Sequence, residues 1–200
     1  MKRKILSKLI EWKNKKNRKP LIVNGARQVG KTYILKEFGS HYYEKMAYVN
    51  CDKNKTLDKI FSQDYNISRI LLSLSAILHV NIEPENTLII FDEIQENPTV
   101  LNSLKYFCED ASQYHVAVAG SLLGISLHRD TSFPVGKVDM IKMYPMTFDE
   151  FLMAIDEQPL VDVLASKDFS IIDSLSVRLI DRLRQYYYVG GMPAAVAEFA

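Results

Sequence analysis

The fold is decided by one stretch near the N-terminus, Pro20-Leu21-Ile22-Val23-Asn24-Gly25-Ala26-Arg27-Gln28-Val29-Gly30-Lys31-Thr32-Tyr33. The apolar run at 21–23 predicts a short buried strand, and residues 25–32 fit the pattern G-x-x-x-x-G-K-[ST] without a mismatch. Apolar side chains at 34, 35 and 38 then predict a helix that begins at Thr32 and that Gly39 can end. Strand, glycine-bounded loop and helix therefore follow one another in the order that a phosphate-binding loop requires.

The chemistry of such a loop is anion binding. Gly25 allows a tight turn, and Gly30 allows backbone N–H groups to close on a phosphate at the N-terminus of a helix. We expect Lys31 to reach the β- and γ-phosphates of a nucleotide and the Thr32 hydroxyl to ligate Mg²⁺. The alternative is a glycine-rich turn with a solvated lysine, which the flanking strand and helix disfavour. The predicted nucleotide-binding residues are Gly25, Ala26, Arg27, Gln28, Val29, Gly30, Lys31, Thr32 and Tyr33.

A second informative stretch is the apolar run 88–91, which ends in two carboxylates, Asp92 and Glu93. A continuous apolar run predicts a strand buried on both faces of a parallel sheet, and the carboxyl ends of such strands are where open α/β sheets bind ligands. We expect Asp92 to hold Mg²⁺ through water and Glu93 to act as a base or orienter for an attacking water. A pair of solvated loop acids is the alternative interpretation.

The length and composition of the chain restrict the classes of protein to which it can belong. The chain has 200 residues, of which 48% are hydrophobic and 24% charged, as expected for one α/β domain or one domain and part of another. No apolar run has the length of a membrane span, and no secretory signal is present. Cys51 and Cys108 are far apart and lack metal-ligand spacing, so we expect a reduced, cytoplasmic setting.

The N-terminal segment is strongly basic, with nine Lys or Arg residues and one acid in residues 1–20. Its apolar positions predict an amphipathic helix within residues 1–19, with one face formed by Ile5, Leu6, Leu9, Ile10 and Trp12. One interpretation is a helix packed on the neighbouring domain with its lysines solvated. The other is a patch for nucleic acid or anionic lipid.

The middle of the chain alternates predicted strands and helices. Strands are predicted at 46–51, 115–119 and 138–143, with helices at 56–61, at 67–78 and after the Asn97-Pro98 cap. Ser121 follows the strand at 115–119 and is a candidate sensor residue between the two acids and the γ-phosphate. It can equally cap a helix over 122–127, and both roles are compatible.

The C-terminal region is predicted to be helical. Thr147 and Glu150 form a capping box, and Met146 and Phe151 are placed for a hydrophobic staple. Residues 157–172 are expected to be a linker or weak helix, followed by a helix over 174–188 and a short Ala-rich helix from Pro193. Because that helix has no stop signal, we expect an excised fragment with a truncated helical lid (147–200), and exposed Val196 and Phe199 that favour self-association.

Five motifs together resemble the AAA-type, STAND-related ATP-binding proteins of bacteria and archaea that usually carry a C-terminal domain of unknown function. The motifs are Asn24-Gly25-Ala26-Arg27-Gln28-Val29-Gly30-Lys31-Thr32, Phe91-Asp92-Glu93-Ile94-Gln95, Ala119-Gly120-Ser121, Tyr144-Pro145-Met146-Thr147-Phe148-Asp149-Glu150-Phe151 and Val189-Gly190-Gly191-Met192-Pro193. The resemblance implies an α/β fold of the P-loop NTPase class, in its additional-strand (AAA) form. Its core at 20–146 would have five parallel strands ordered 5-1-4-3-2, followed by the start of a helical lid and, in the natural protein, by the C-terminal domain.

The resemblance also implies roles for residues outside the loop. In related STAND ATPases the Gly-x-Pro element lies beside the adenine, so Pro193 would contact the base. The family often has Gly-Arg before its fifth strand, where this chain has Gly136-Lys137. Arg129 is therefore the remaining candidate for an arginine finger.

Other nucleotide-binding classes fit less well. A GTPase would have Asp-x-x-Gly after its third strand and Asn-Lys-x-Asp for guanine, but Asp92 is followed by Glu-Ile-Gln and Asn54-Lys55 has no acid at the needed offset. The predicted function is an Mg²⁺-dependent ATP-binding module with slow or regulated hydrolysis of ATP, with Glu93, Lys31 and Ser121 as catalytic residues and Thr32 and Asp92 as metal ligands. The alternatives are a nucleotide-dependent protein-interaction switch with little turnover, and a nucleic-acid-binding scaffold that uses the basic segment.

Overall fold

The structure, a computed structural model, describes residues 3–121 and 133–200. These residues divide into two compact units, one between Ile5 and Met143 and the other formed by Arg3, Lys4 and residues 144–200. Each unit has its own hydrophobic core. Within the described ranges, no helix is both long enough and apolar enough to cross a membrane.

The first unit is built on a parallel sheet of five strands, β1 (Leu21–Gly25), β2 (Lys45–Asn50), β3 (Thr87–Asp92), β4 (His115–Ser121) and β5 (Asp139–Met143). Their order is β2-β3-β4-β1-β5, so the predicted α/β fold and strand order are confirmed. Every residue of β1, β3 and β4 is buried, whereas the two edge strands, β2 and β5, are only partly buried. The apolar runs of the sequence thus identify the central strands, which need partners on both faces.

Helices cover both faces of this sheet: α1 (Ile5–Asn14), α2 (Lys31–Tyr42), α3 (Lys55–Phe61), α4 (Ile67–Leu78) and α5 (Pro98–Asp110), with a 3₁₀ turn at Ile94–Glu96. Apolar residues of α3, α4 and α5 share one core with the strand positions Ile22, Ile89 and Val118. Because successive strand residues point to opposite faces, α2, which lies against Met46 and Leu88, covers the other face.

The N-terminal helix packs on α2. Leu9 and Trp12 are buried, and the Trp12 ring lies 6.5 Å from that of Phe38. Several basic side chains of this segment are bound within the unit: Lys15 Nζ lies 2.7 Å from Asp139 Oδ1, and Lys19 Nζ donates to the Gly136 carbonyl at 2.6 Å. The packed amphipathic helix is therefore the arrangement that the structure shows, and part of its positive charge is used internally.

Gly39 does not end α2, so this expectation is wrong. The helix continues to Tyr42, and Gly39 lies within its buried face. A Cβ at this position would come within 2.8 Å of Met46 Sδ and 3.4 Å of Leu88 Cδ2. The glycine lets α2 lie close to β2 and β3, which is a packing role rather than a capping role.

The second unit contains helices α6 (Phe148–Ala154), α7 (Gln158–Ser166), α8 (Phe169–Ser174), α9 (Ser176–Val189) and α10 (Pro193–Phe199). The predicted capping box at Thr147 and Glu150 is present. Glu150 also accepts hydrogen bonds from Arg3 Nε at 3.2 Å and from the Lys4 backbone N–H at 2.7 Å, which joins the N-terminal residues to α6.

Of the two alternatives for residues 157–172, a linker or a weak helix, the structure shows helix, because α7 and part of α8 occupy them. Leu160 of α7 is buried against Leu152 and Leu179, and this tertiary packing stabilises a short helix of weak sequence signal. One expectation for this unit is wrong. Val196 is fully buried with Met146 and Phe151, so it is no exposed apolar residue, although Phe199 is 44% exposed.

Candidate functional site

The glycine-bounded loop begins at the C-terminal end of β1, between two other strands. Gly25 is in register with Ser121 of β4 and Met143 of β5. A Cβ on Gly25 would lie only 2.3 Å from the Met143 carbonyl oxygen, so the strand packing itself requires glycine here. The preceding residue, Asn24, is buried, and its Oδ1 has no hydrogen-bond partner among the described residues.

The loop then turns through two residues with left-handed backbone conformation. Gln28 has φ 64° and Gly30 has φ 93°, and Gly30 is the residue that precedes α2. Val29 between them is fully buried and anchors the loop to the core. A helix that starts from such a turn presents unpaired backbone N–H groups at its first turn, which is the arrangement that favours an anion.

The ammonium group of Lys31 is held inside the curve of the loop. Its Nζ donates to the carbonyl oxygens of Gly25 at 3.1 Å and Ala26 at 2.7 Å, and the side chain is 9% exposed. Burial lowers the pKa of Lys31, while Glu93 and Asp92 act in the opposite direction. Because the Lys31 ammonium group is poorly solvated, an anionic ligand bound in the loop would stabilise its positive charge.

The loop opens on a cavity of about 670 Å³, within the size range of small-molecule sites. Its lining combines two basic side chains with three acidic ones, and consists of Arg27, Gln28, Gly30, Lys31, Thr32, Tyr33, Asp52, Glu93 and Glu96. The structure therefore brings most of the predicted loop residues together with Glu93. Asp52 and Glu96 were not predicted, because a lone acid after a strand or in a short turn carries no distinguishing pattern.

Asp92 is the last residue of β3 and is not among the residues that line the cavity. The carboxylate is 5% exposed, and its Oδ2 accepts a hydrogen bond from the Tyr48 hydroxyl at 2.9 Å, while Oδ1 accepts one from the Glu93 N–H at 3.0 Å. Burial and the hydrogen bond to Asp92 raise the pKa of Tyr48 to about 12, so the phenol stays a neutral donor. Sequence reasoning missed Tyr48, whose role depends on β2 and β3 being neighbours.

Glu93 adopts a left-handed backbone conformation with φ 51°, which is uncommon for a residue other than glycine. Its Oε2 accepts a hydrogen bond from Gln95 Nε2 at 2.5 Å. Gln95 Oε1 in turn accepts one from the backbone N–H of Ser121 at 3.1 Å. The predicted sensor position at the end of β4 is thus joined to the predicted base through a glutamine.

Comparison with known protein families agrees with this geometry. A family model described as an AAA domain matches residues 17–152, which include all five strands and the loop. The chain belongs to the AAA domain family. It is therefore a nucleotide-binding module of a family whose members are generally ATPases. A search of curated proteins finds no match to the chain.

The donor set of this AAA domain suits magnesium. Among the described residues there is no group of three or more His, Cys, Asp or Glu side chains that could hold a metal ion. Mg²⁺ usually keeps several waters and binds through one or two protein oxygens together with substrate phosphates. The hydroxyl of Thr32, which lines the cavity, and the carboxylate of Asp92 at the end of β3 are oxygen donors of that kind.

Pro193 is the first residue of α10, in the second unit. Arg129, the arginine-finger candidate, and the helix over 122–127 that Ser121 was expected to cap lie outside the described residues. Lys137, which stands where the family often has arginine, pairs with Glu109 Oε1 of α5 at 2.8 Å.

Two of the C-terminal motifs pack on each other. The Met146 N–H donates to the Gly191 carbonyl at 2.6 Å, and the Tyr186 hydroxyl donates to the Met146 carbonyl at 2.8 Å. A Cβ on Gly191 would lie 2.4 Å from that same Met146 oxygen. Packing within its own unit therefore requires a glycine at position 191, two residues before Pro193, independently of any nucleotide.

Proposed function

We propose that this AAA domain binds ATP together with Mg²⁺ and hydrolyses it slowly or under regulation. The observation that carries the proposal is that Lys31, Thr32 and Glu93 line the same cavity. A phosphate-binding lysine, a hydroxyl ligand and a carboxylate within one cavity are the parts that phosphoryl transfer to water requires.

Each of these residues has a defined task in the proposal. The loop N–H groups and Lys31 bind the phosphates, and Lys31 exchanges the carbonyls of Gly25 and Ala26 for phosphate oxygens. Thr32 and Asp92 would hold Mg²⁺, which when bound neutralises phosphate charge and polarises the phosphoryl oxygens. Glu93 orients the attacking water and accepts its proton.

Further parts of the proposal depend on the resemblance to STAND-related ATPases. We infer adenine as the base, contacted by Pro193, a cytoplasmic setting, and a natural protein with a C-terminal domain. Ser121 is proposed as the residue that senses the γ-phosphate. These assignments are supported by the motifs of the sequence.

The competing proposal is a nucleotide-dependent interaction switch with little turnover. It is favoured by the exposed apolar side chains of α8 and α9, since protein-interaction sites are enriched in such surface. Phe169, Val177, Tyr187 and Tyr188 are between 74% and 91% exposed. A surface of this kind also suits self-association.

Phosphate release under multiple-turnover conditions separates these proposals. We expect the parent chain to release more than one phosphate per chain, and Glu93→Gln to bind ATP while losing about 100-fold or more of the rate, because an amide cannot accept the proton. Glu11→Gln, on the exposed side of α1, is the matched control. Asp92→Asn is expected to change the Mg²⁺ dependence instead.

Two outcomes decide against hydrolysis as proposed. ATP binding by the parent with less than one phosphate released per chain would favour the switch. Hydrolysis by Glu93→Gln at the parent rate would remove Glu93 from the role of base.

A further inference from the structure

We propose that Gln95 is a positioning residue that ties the Glu93 carboxylate to the end of β4 and so holds it in one orientation for the attacking water. The inference rests on the proposed function, because it concerns the orientation of the proposed base. It assigns to Gln95 a part in ATP turnover rather than in ATP binding.

The contacts of Gln95 carry this inference. The side chain is 6% exposed and spans two strand ends, with Nε2 at 2.5 Å from Glu93 Oε2 and Oε1 at 3.1 Å from the Ser121 N–H nitrogen. Nε2 also lies 3.4 Å from Glu96 Oε1. One buried amide thus connects the residue after β3 with the last residue of β4, across the end of the sheet where ligands bind.

The chemistry of the two partners fixes which way the amide faces. The carboxylate of Glu93 can only accept, and the Ser121 N–H can only donate. The reverse orientation of the amide would place two acceptors together at Glu93 and two donors together at Ser121. A primary amide with the length of glutamine is therefore what this position requires, and neither an acid nor an apolar side chain can replace both bonds.

Glu93 is held at both its backbone and its side chain. Its N–H donates to Asp92 Oδ1 at 3.0 Å, in a left-handed backbone conformation with φ 51°. The bond to Asp92 fixes the position of the Glu93 backbone, and the bond from Gln95 fixes the position of the Glu93 carboxylate. A base held at both points needs little rearrangement at the moment of reaction, and such preorganisation contributes to rate.

The test is a Gln95→Met substitution in the full 200-residue chain, which keeps the length of the side chain and removes the amide. We expect kcat for ATP hydrolysis to fall about tenfold or more, and by less than in Glu93→Gln, while KM changes by about twofold at most. In an amide NMR spectrum the Ser121 N–H signal should shift and exchange faster with solvent, because its acceptor is lost. Gln113→Met, at an exposed site before β4, is the matched control.

A double variant shows whether Gln95 acts through Glu93. We expect Glu93→Gln/Gln95→Met to hydrolyse ATP no more slowly than Glu93→Gln alone, because the carboxylate that Gln95 positions is already absent in Glu93→Gln. Additive losses, or parent kcat in Gln95→Met while Glu93→Gln is inactive, would overturn the inference and leave the proposed function standing. A parent chain without turnover would overturn the inference together with the hydrolysis that it rests on.

Discussion

Glycine at position 25 serves the sheet as much as the ligand. The expected reason for Gly25 was the turn of a phosphate loop, and the structure adds a second reason, because a Cβ at this position would lie 2.3 Å from the Met143 carbonyl oxygen of β5. Sequence patterns identify such a glycine, because a motif records its spacing. They do not reveal the roles of side chains such as Tyr48, Asp52 and Gln95, which follow from the strand ends that are neighbours in the sheet.

Replacing glycine by alanine at two buried sites should therefore have unequal effects. Gly25→Ala should lower the free energy of unfolding by about 1–3 kcal/mol, because the added Cβ meets backbone at 2.3 Å. Gly39→Ala should be close to neutral, because the added Cβ meets a flexible methionine and alanine gains about 1 kcal/mol of helix propensity. Urea unfolding measures both. If the urea midpoint of Gly25→Ala equals that of the parent, the close approach of Gly25 to the Met143 carbonyl is wrong.

Among the strands and helices, those with regular apolar spacing or a clear cap could be predicted from the sequence. The five strands and α1 to α5 were expected from their apolar spacing and caps, and their predicted ends lie within about two residues of the observed ones, except that α2 continues to Tyr42 instead of ending at Gly39. For the segment of α7 and α8 the sequence left a linker and a weak helix as alternatives, because the stability of these helices comes from packing of residues such as Leu160 and from the Asp168 cap, which accepts from the N–H groups of Ser170 and Ile171. Contacts between distant elements are not encoded in local periodicity.

The contact of His115 in β4 with α1 and the end of α2 leads to a prediction about the pH dependence of stability. His115, at the start of β4, is 4% exposed; its Nδ1 lies 2.6 Å from the Tyr43 hydroxyl at the end of α2, and its ring lies 6.1 Å from that of Trp12 of α1. Its Nε2 has no hydrogen-bond partner in the described part of the chain. Burial, followed by the charges of Arg18 and Lys13, lowers the pKa of His115 to about 4.

Because the folded pKa lies below the unfolded value, the neutral ring favours folding, and this stability is lost as pH falls below about 6.5 towards 4. Between about pH 7.5 and 5, we expect the parent to lose about 1–2 kcal/mol more than His115→Gln, which cannot titrate. Urea unfolding at the two pH values gives this difference, in which carboxylate effects common to both chains cancel. Equal losses in the two chains would show that His115 is not held neutral.

For the whole molecule, topology was the most predictable feature. The strand order follows from the family resemblance, and the match to the AAA domain family over residues 17–152 agrees with it. Of the site, the glycine-bounded loop with Lys31 and the acid Glu93 were expected, since their chemistry constrains sequence spacing, whereas the acids Asp52 and Glu96 were not. Its supporting hydrogen bonds, above all the Glu93–Gln95–Ser121 connection, became visible only in three dimensions.

Calorimetric titration of the chain with ATP and Mg²⁺ measures the proposed binding of ATP at the glycine-bounded loop of this AAA domain. We expect saturable binding by the parent, affinity at least about tenfold weaker in Lys31→Ala with the fold intact, and unchanged affinity in Lys59→Ala, an exposed lysine of α3. Equal ATP affinity in Lys31→Ala and the parent would contradict the proposed binding at this loop.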